Sequence, residues 1–358
     1  MFIHRIEKLR ERMKESGLRQ LLVTDTPSIY YLTGKWIEAG ERLLVLLIKE
    51  TGKPCLYINE LFPVKETEDL DFVWLKDTSD AISILAEGVL KNETLGIDKN
   101  WPSGFLIRLM NTLKSSDFVN SSLILDEIRS MKDQEEIRFM RAASRINDDA
   151  MMMLIDAIDE EMSEKEMEDV LKEIYMNLGA DGFSFTPIIA YGKNGADPHH
   201  ENSQRILHEG DSIILDIGCR KDHYCADMTR TVFFGEAGHK AREVYEAVLE
   251  ANNRAIEMVK PGMKFSDIDR AAREVIEEKG YGPYFTHRTG HSIGIEVHET
   301  GDVSSANDDI LKPGMIFSVE PGIYLEGELG VRIEDLILVT EDGYENLNRY
   351  PKDLYIVR

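Results

Sequence analysis

Two segments of the chain repeat one short pattern of leucine, glycine and acidic residues at identical offsets. The paired positions are Leu207, Gly210, Asp216 and Gly218 in the first copy and Leu311, Gly314, Glu320 and Gly322 in the second. In each copy a turn leads into an apolar strand that reaches one carboxylate. This echo predicts a duplicated unit built on two β-hairpins, at 212–234 and 315–339.

Each predicted hairpin carries a second carboxylate. A turn at Lys221-Asp222 places Asp216 opposite Asp227, although this pair is not favoured in tight turns and a longer turn would shift the register. In the second hairpin Glu320 and Glu334 are equidistant from Gly327. Cross-strand partners have Cβ atoms roughly 4.5–5.5 Å apart, and like charges there are destabilising.

Four inward carboxylates on apolar strands require positive charge. Arg230 and Arg332 could supply it as ion pairs, which is the usual fate of a single acidic residue in a strand. Two mirrored pairs instead favour two divalent ions roughly 3.5–4 Å apart that share carboxylates. His291, between Gly290 and Gly294, adds an imidazole, which suits Mn, Co, Fe or Zn rather than an all-oxygen calcium site.

Charge and composition exclude some classes of binding partner. With 42 basic and 66 acidic residues the net charge is -24, which argues against nucleic acid and anionic membranes. No apolar run approaches the roughly 18 residues of a membrane span. The three cysteines have no metal or disulfide spacing, so we expect reduced thiols in a cytoplasmic protein.

The elements predicted along the chain divide into two parts. Strand and helix patterns alternate in the first third, which indicates a small α/β domain over residues 1–122. The hairpins are accompanied by four predicted helices. They span 133–158, begin at the Ser163 capping box, span 239–259, and span 267–279 after a cap at Ser266. Helices grouped with antiparallel hairpins predict an α+β catalytic domain over residues 123–358.

The motifs around these residues resemble those of the pita-bread metallopeptidases. Within that family the chain is most similar to the Xaa-Pro dipeptidase (prolidase) and aminopeptidase P branch, and residues 30–34 are similar to a creatinase-type N-terminal domain. The motifs are Asp216 to Gly218, Ala226 to Thr231, His287 to His291, Val297 to Glu299, Val319 to Gly322 and Arg332 to Asp335. The resemblance implies a pita-bread catalytic domain with a smaller creatinase-type α/β domain N-terminal to it in the sequence.

The resemblance also implies a role for each site residue. Asp216 and Asp227 would bind one metal, Asp227 and Glu334 would bridge both, and His291 and Glu320 would complete the second. His199 and His298 match the family's substrate-binding and proton-shuttling histidines, and Arg332 matches an arginine near the substrate. Glu320, His298 and His199 would be the catalytic groups, Glu320 as general acid–base.

Several alternatives share the fold, and aminopeptidase P and methionine aminopeptidase share the ligands as well. Aminopeptidase P, which acts on longer peptides, differs from a dipeptidase only in the room beyond proline. The N-terminal domain disfavours methionine aminopeptidase, and the intact ligands disfavour creatinase and a non-catalytic binding relative. A metal-storage site would leave His199, His298 and Arg332 without a purpose. The resemblance further implies a homodimer, a short proline-containing peptide as substrate, and manganese or cobalt as metal.

Overall fold

The computed structural model describes residues 2–358, and the chain divides into two compact units, Met1–Arg129 and Ser130–Arg358. The predicted boundary was residue 122. The structure places the division later because the helix Ser122–Ser130 belongs to the first unit up to Arg129.

The first unit is a six-stranded mixed sheet with helices. Its spatial order is β4-β3-β2-β1-β5-β6, with β1 parallel to β5 and antiparallel to β2. The strands are β1 Gln20–Val23, β2 Val45–Lys49, β3 Cys55–Asn59, β4 Asp71–Leu75, β5 Leu95–Ile97 and β6 Phe118–Asn120, and the helices are α1 Ile3–Glu15, α2 Thr26–Thr33, α3 Ala81–Gly88, α4 Ser103–Thr112 and α5 Ser122–Ser130. The sequence predicts strands at 20–24, 43–49, 55–59 and 72–75, and β1 to β4 agree with them within two residues. The strands β5 and β6 were missed because they have only three residues each. The helix α2 was missed although the Asp25 cap and Gly34 mark its ends.

The second unit contains four long helices and several antiparallel strand groups. The helices are α6 Gln134–Asp156, α7 Glu164–Leu178, α8 His239–Glu257 and α9 Phe265–Glu278. The strands are β7 Gly182–Phe183, β8 Ile188–Tyr191, β9 Ser212–Ile217, β10 Cys219–Lys221, β11 Tyr224–Cys225, β12 Met228–Phe234, β13 Gly290–Ser292, β14 Glu299–Val303, β15 Ile316–Val319, β16 Gly322–Leu325, β17 Leu329–Arg332, β18 Asp335–Val339, β19 Tyr344–Asn346 and β20 Ile356–Val357.

The packing of this unit follows the repeat in the sequence. One apolar core joins α6 and α7 to β8, β9 and β12, and a second joins α8 and α9 to β15 and β18. Gly210 and Gly314 have φ of 87° and 91°, so each supplies the left-handed turn that leads into the acidic strand. Each half therefore packs two helices on a mainly antiparallel sheet, in which only the edge strand β20 runs parallel to its neighbour β12, and each sheet leads to one acidic residue.

The register of the first hairpin corrects the sequence prediction. The turn residues are Asp222 and His223, with φ of 50° and 69°, because Lys221 pairs with Tyr224. Two positive φ values are typical of the tight hairpin turn, and aspartate and histidine tolerate them better than most residues. Asp216 consequently lies opposite Thr229, and the prediction that it faces Asp227 directly was wrong.

The second hairpin has the predicted register. Val319 pairs with Asp335 on one side and Gly322 with Arg332 on the other, so both ladders are centred on Gly327. Glu320 and Glu334 lie where the two ladders separate, at equivalent positions on the two sides of the hairpin.

Helix ends were predicted with mixed success. The capping box of Ser163 and Glu166 at the start of α7 is confirmed. The cap predicted at Ser266 is wrong, because α9 begins at Phe265 after Lys264, and Ser266 lies inside the helix.

Among residues 2–358, no helix is both long enough and apolar enough to span a bilayer.

Candidate active site

The eight residues singled out from the sequence line one cavity of about 520 Å³ in the second unit. They come from separate elements: Asp216 from β9, Asp227 from the break between β11 and β12, and His291 from β13. Glu320 follows β15, Glu334 precedes β18, and Arg332 ends β17. Thus the two hairpins and β13 place their polar side chains in a common cavity.

Three of these side chains form the tightest group. Asp227, His291 and Glu334 each offer a ligand atom, and these atoms all lie within 4.8 Å of one another. His291 Nε2 lies 3.7 Å from Asp227 Oδ2 and 3.4 Å from Glu320 Oε1. Asp216 is outside this group, and its Oδ2 accepts a hydrogen bond of 2.6 Å from Arg332 Nη2.

The oxygen atoms of this cavity fit a cation. Within residues 2–358, Asp216 Oδ1, Asp227 Oδ1 and Glu334 Oε1 are buried and have no hydrogen-bond partner. A buried carboxylate oxygen without a donor is costly unless a positive charge compensates it. Carboxylates together with one imidazole form a donor set suited to first-row transition ions.

The electrostatics of the carboxylates point the same way. Burial, together with the neighbouring charges of Glu334 and Asp216, raises the pKa of Asp227 well above its usual range. Burial and the charges of Glu320 and Asp216 do the same to the pKa of Glu334. Burial raises the pKa of Glu320 to about 7. A divalent ion removes this conflict by favouring the charged forms.

His291 is held in the form that binds metal. Burial and the nearby His298 lower the pKa of His291 to about 3, so its imidazole is neutral. Its Nδ1 lies 3.3 Å from the Ser292 carbonyl oxygen, which leaves Nε2 facing the carboxylates. Gly290 is required because a Cβ there would lie 1.9 Å from the Ser318 carbonyl oxygen, and the close approach of β13 to β15 would be lost.

A second layer of hydrogen bonds orients the carboxylates, and the sequence analysis did not identify it. Thr229 Oγ1 donates to Glu334 Oε2 at 2.7 Å, and Ser318 Oγ donates to Glu320 Oε1 at 3.1 Å. Thr229 is the cross-strand partner of Asp216, and Ser318 lies two residues before Glu320, on the same face of the strand. Strand periodicity was the signal that could have found both.

The Arg332 guanidinium hydrogen-bonds to several side chains of the protein itself. Besides Asp216, it donates to Tyr324 Oη at 3.0 Å and to Thr229 Oγ1 at 3.2 Å. Tyr324 Oη also lies 2.8 Å from His287 Nε2, and His287 lines the cavity. Arg332 therefore orients Asp216 and Tyr324 in this structure. The substrate contact expected for it stays a prediction.

The two remaining histidines are exposed on the cavity wall. The His298 ring lies 4.2 Å from that of His291, edge to face, and His199 follows Pro198 in a loop before β9. Apolar side chains of Phe185, Ile188 and Val297 line the cavity beside them. Imidazoles next to an apolar wall can contact a small substrate that is polar at one end and apolar at the other.

Comparisons with known proteins agree with this geometry. Metallopeptidase family M24 matches residues 138–341, and the Creatinase/Prolidase N-terminal domain matches residues 5–131. An uncharacterized peptidase of Staphylococcus aureus (strain MRSA252) is 35% identical over 361 residues, which cover 97% of this chain and 99% of that protein.

Solved structures extend the similarity to the whole fold. Recombinant prolidase from Thermococcus sibiricus is 34% identical, with a TM-score of 0.95 over 100% of this chain and 99% of that one. X-Pro aminopeptidase from Thermotoga maritima MSB8 is 31% identical, with a TM-score of 0.86 over 97% and 100% of the two chains. These matches confirm the predicted family and the α+β two-domain architecture. The chain belongs to Metallopeptidase family M24 and carries a Creatinase/Prolidase N-terminal domain.

Proposed function

We propose that this protein is a dinuclear-metal peptidase that hydrolyses the Xaa-Pro bond of dipeptides. The observation that carries the proposal is the group of buried carboxylate oxygens without partners, which faces a cavity with the exposed imidazoles of His199 and His298 and an apolar wall. Its similarity to a protein described as a prolidase supports the substrate class.

In this proposal Asp216, Asp227, His291, Glu320 and Glu334 would hold the metal ions, and Asp227 and Glu334 would serve both. When bound, divalent ions polarise a carbonyl and lower the pKa of water towards neutrality. Manganese and cobalt are the ions we propose, with zinc and iron as alternatives for the same donor set.

The protein's own groups move the protons and hold the substrate. Glu320 is the general acid–base: it accepts a proton from the attacking water and passes it to the leaving nitrogen. His199 and His298 contact the substrate and donate hydrogen bonds to the oxyanion that develops at the scissile carbonyl. Arg332 holds the Asp216 carboxylate in place.

Proline explains the need for a dedicated site. The amide before proline has no N–H, so an enzyme that grips that hydrogen cannot handle it. The apolar wall formed by Phe185, Ile188 and Val297 can accept apolar side chains instead. Release of the residue before proline from longer peptides is the second candidate. Similarity to a protein described as an X-Pro aminopeptidase favours it.

We also propose that the protein acts in the cytoplasm as a homodimer. Its three cysteines are free, as expected of a reducing compartment. Sedimentation that finds only a monomer would contradict the homodimer.

Hydrolysis of Met-Pro and Met-Pro-Ala tests the function. Chelator-stripped protein is assayed with and without manganese or cobalt, and bound metal is measured in parallel. Metal-dependent cleavage of Met-Pro alone establishes the dipeptidase, and cleavage of the first bond of Met-Pro-Ala establishes the aminopeptidase. Failure to cleave either peptide with metal bound would refute both and favour a non-catalytic role.

A further inference from the structure

Two adjacent histidines face opposite surroundings. His199 is exposed and lines the cavity, whereas the His200 ring turns away, with Nε2 2.8 Å from Glu164 Oε2. Both residues belong to a loop without helix or strand between β8 and β9, apart from one short 3-10 turn at Gly192–Ala196. Since a loop of this kind has no ladder to fix it, His199 depends on other contacts for its position.

Asp197 Oδ1 accepts from the backbone N–H of His199 at 3.0 Å, and Glu164 contacts the residues around it. Its side chain is 0% exposed and takes part in five hydrogen bonds. Oε1 accepts from the backbone N–H of Tyr191 at 2.9 Å and from Asn194 Nδ2 at 2.8 Å. Oε2 accepts from the N–H and the hydroxyl of Ser203, at 2.8 and 2.6 Å, and pairs with His200. One carboxylate therefore joins the start of the loop, at Tyr191 and Asn194, to its middle, at Ser203 and at His200, the neighbour of His199.

The helix beneath the loop strengthens this arrangement. Glu164 is the first residue of α7, where a negative charge interacts favourably with the helix dipole. The N–H groups of Glu164 and Lys165 donate to the carbonyl oxygens of Arg205 and Ser203, so the loop closes over the helix N-terminus. Burial alone would raise the pKa of Glu164, but hydrogen bonds from Ser203 and His200 lower it. The Glu164 carboxylate is thus charged and held in place by its hydrogen bonds.

We propose that Glu164 is a positioning residue that, through His200 and Ser203, fixes His199 at the wall of the substrate cavity. The inference rests on the proposed function only in giving His199 a contact with the substrate. Glu164 does not line the cavity, so its effect on turnover must pass through the loop.

A double-mutant cycle tests this route. Glu164→Gln keeps the shape of the side chain but turns an amide NH₂ towards the donors of the loop. We expect kcat/KM for Met-Pro to fall about 10- to 100-fold, the range expected when a contacting group is misplaced by about 1 Å. In a His199→Ala background the same change should cost no more than about twofold, because the group being positioned is gone. Equal losses in both backgrounds would overturn the proposal, as would unchanged kinetics in folded Glu164→Gln.

Three further variants keep the test decisive. Glu166 lies on the same first turn of α7, and its Oε2 accepts hydrogen bonds from the N–H and the hydroxyl of Ser163, so Glu166→Gln should leave kcat/KM unchanged. If Glu164→Gln does not fold, His200→Ala takes its place, and His200→Gln, whose amide can still donate to Glu164, should restore most of the lost activity. Loss in Glu166→Gln equal to that in Glu164→Gln, or no difference between the two His200 variants, would contradict positioning.

A crystal structure of metal-loaded Glu164→Gln separates this proposal from the proposed function. We expect the His199 ring to move by about 1 Å or more while His291 and Glu334 stay in place, whatever substrate the protein cleaves. An unmoved His199 would refute positioning even if Met-Pro is hydrolysed. Failure of the wild-type protein to cleave Met-Pro, with His199 displaced in the variant, would refute the substrate and leave the positioning supported.

Discussion

Glu320→Gln should stabilise the metal-free protein at pH 8 while weakening its metal binding. In the folded chain, burial raises the pKa of Glu320 from 4.5 to about 7. At 1.36 kcal/mol per pH unit, ionised Glu320 then costs the metal-free fold about 3 kcal/mol. The side chain keeps 16% exposure, so solvent screening reduces the expected gain to about 2 to 3 kcal/mol.

The pH dependence has a definite sign. Between pH 4.5 and about 7 the folded protein binds the Glu320 proton more tightly than the unfolded chain, so stability falls as the pH rises. At pH 4.5 or below the carboxyl is largely neutral in both states, and the advantage of Glu320→Gln should disappear. Added manganese should reverse the order, because ligand at 100 times its Kd stabilises a protein by about 2.7 kcal/mol.

Urea unfolding in the presence of a chelator, at pH 8 and at pH 5, measures the difference. Glu326→Gln is the control: Glu326 is exposed in the turn of the same hairpin, and its substitution should change stability by less than about 0.5 kcal/mol. The reasoning fails if metal-free Glu320→Gln is less stable than the wild type at pH 8. It fails equally if the two pH values give the same difference.

Three further predictions concern two residues of the site and the cap of α7. Asp227→Ala should lose bound metal and turnover together, because two neighbouring ligands remain without the shared carboxylate; full activity at wild-type metal content would sink the two-metal site. His298→Ala should keep its metal, measured by elemental analysis, while kcat falls about 100-fold, the scale of one oxyanion donor; unchanged kinetics would remove His298 from the mechanism. Ser163→Ala should lower the free energy of unfolding by about 1 kcal/mol through loss of the α7 cap, and an unchanged urea midpoint would contradict this.

The sequence alone determined features that depend on local pattern. The register around Gly327 followed from counting residues along one continuous hairpin, because a turn fixes the pairing of the strands on either side. The Ser163 capping box was readable because cap and partner lie three residues apart. The ordered motifs identified the family, which the comparisons confirm. The ligand roles of the five residues stay predictions.

Only the tertiary structure decided contacts between segments that are distant in the chain. Asp222 and His223 tolerate a left-handed turn better than Lys221 does, but this local preference is weak. The strand pairing in the folded chain placed the turn there and moved the partner of Asp216 from Asp227 to Thr229. The sequence around Glu164 predicts an exposed residue in the first turn of a helix. Its burial follows from a loop that folds back over the helix N-terminus and supplies hydrogen-bond donors. Such contacts depend on how sheets and loops pack in space, which the periodicity of one segment does not encode.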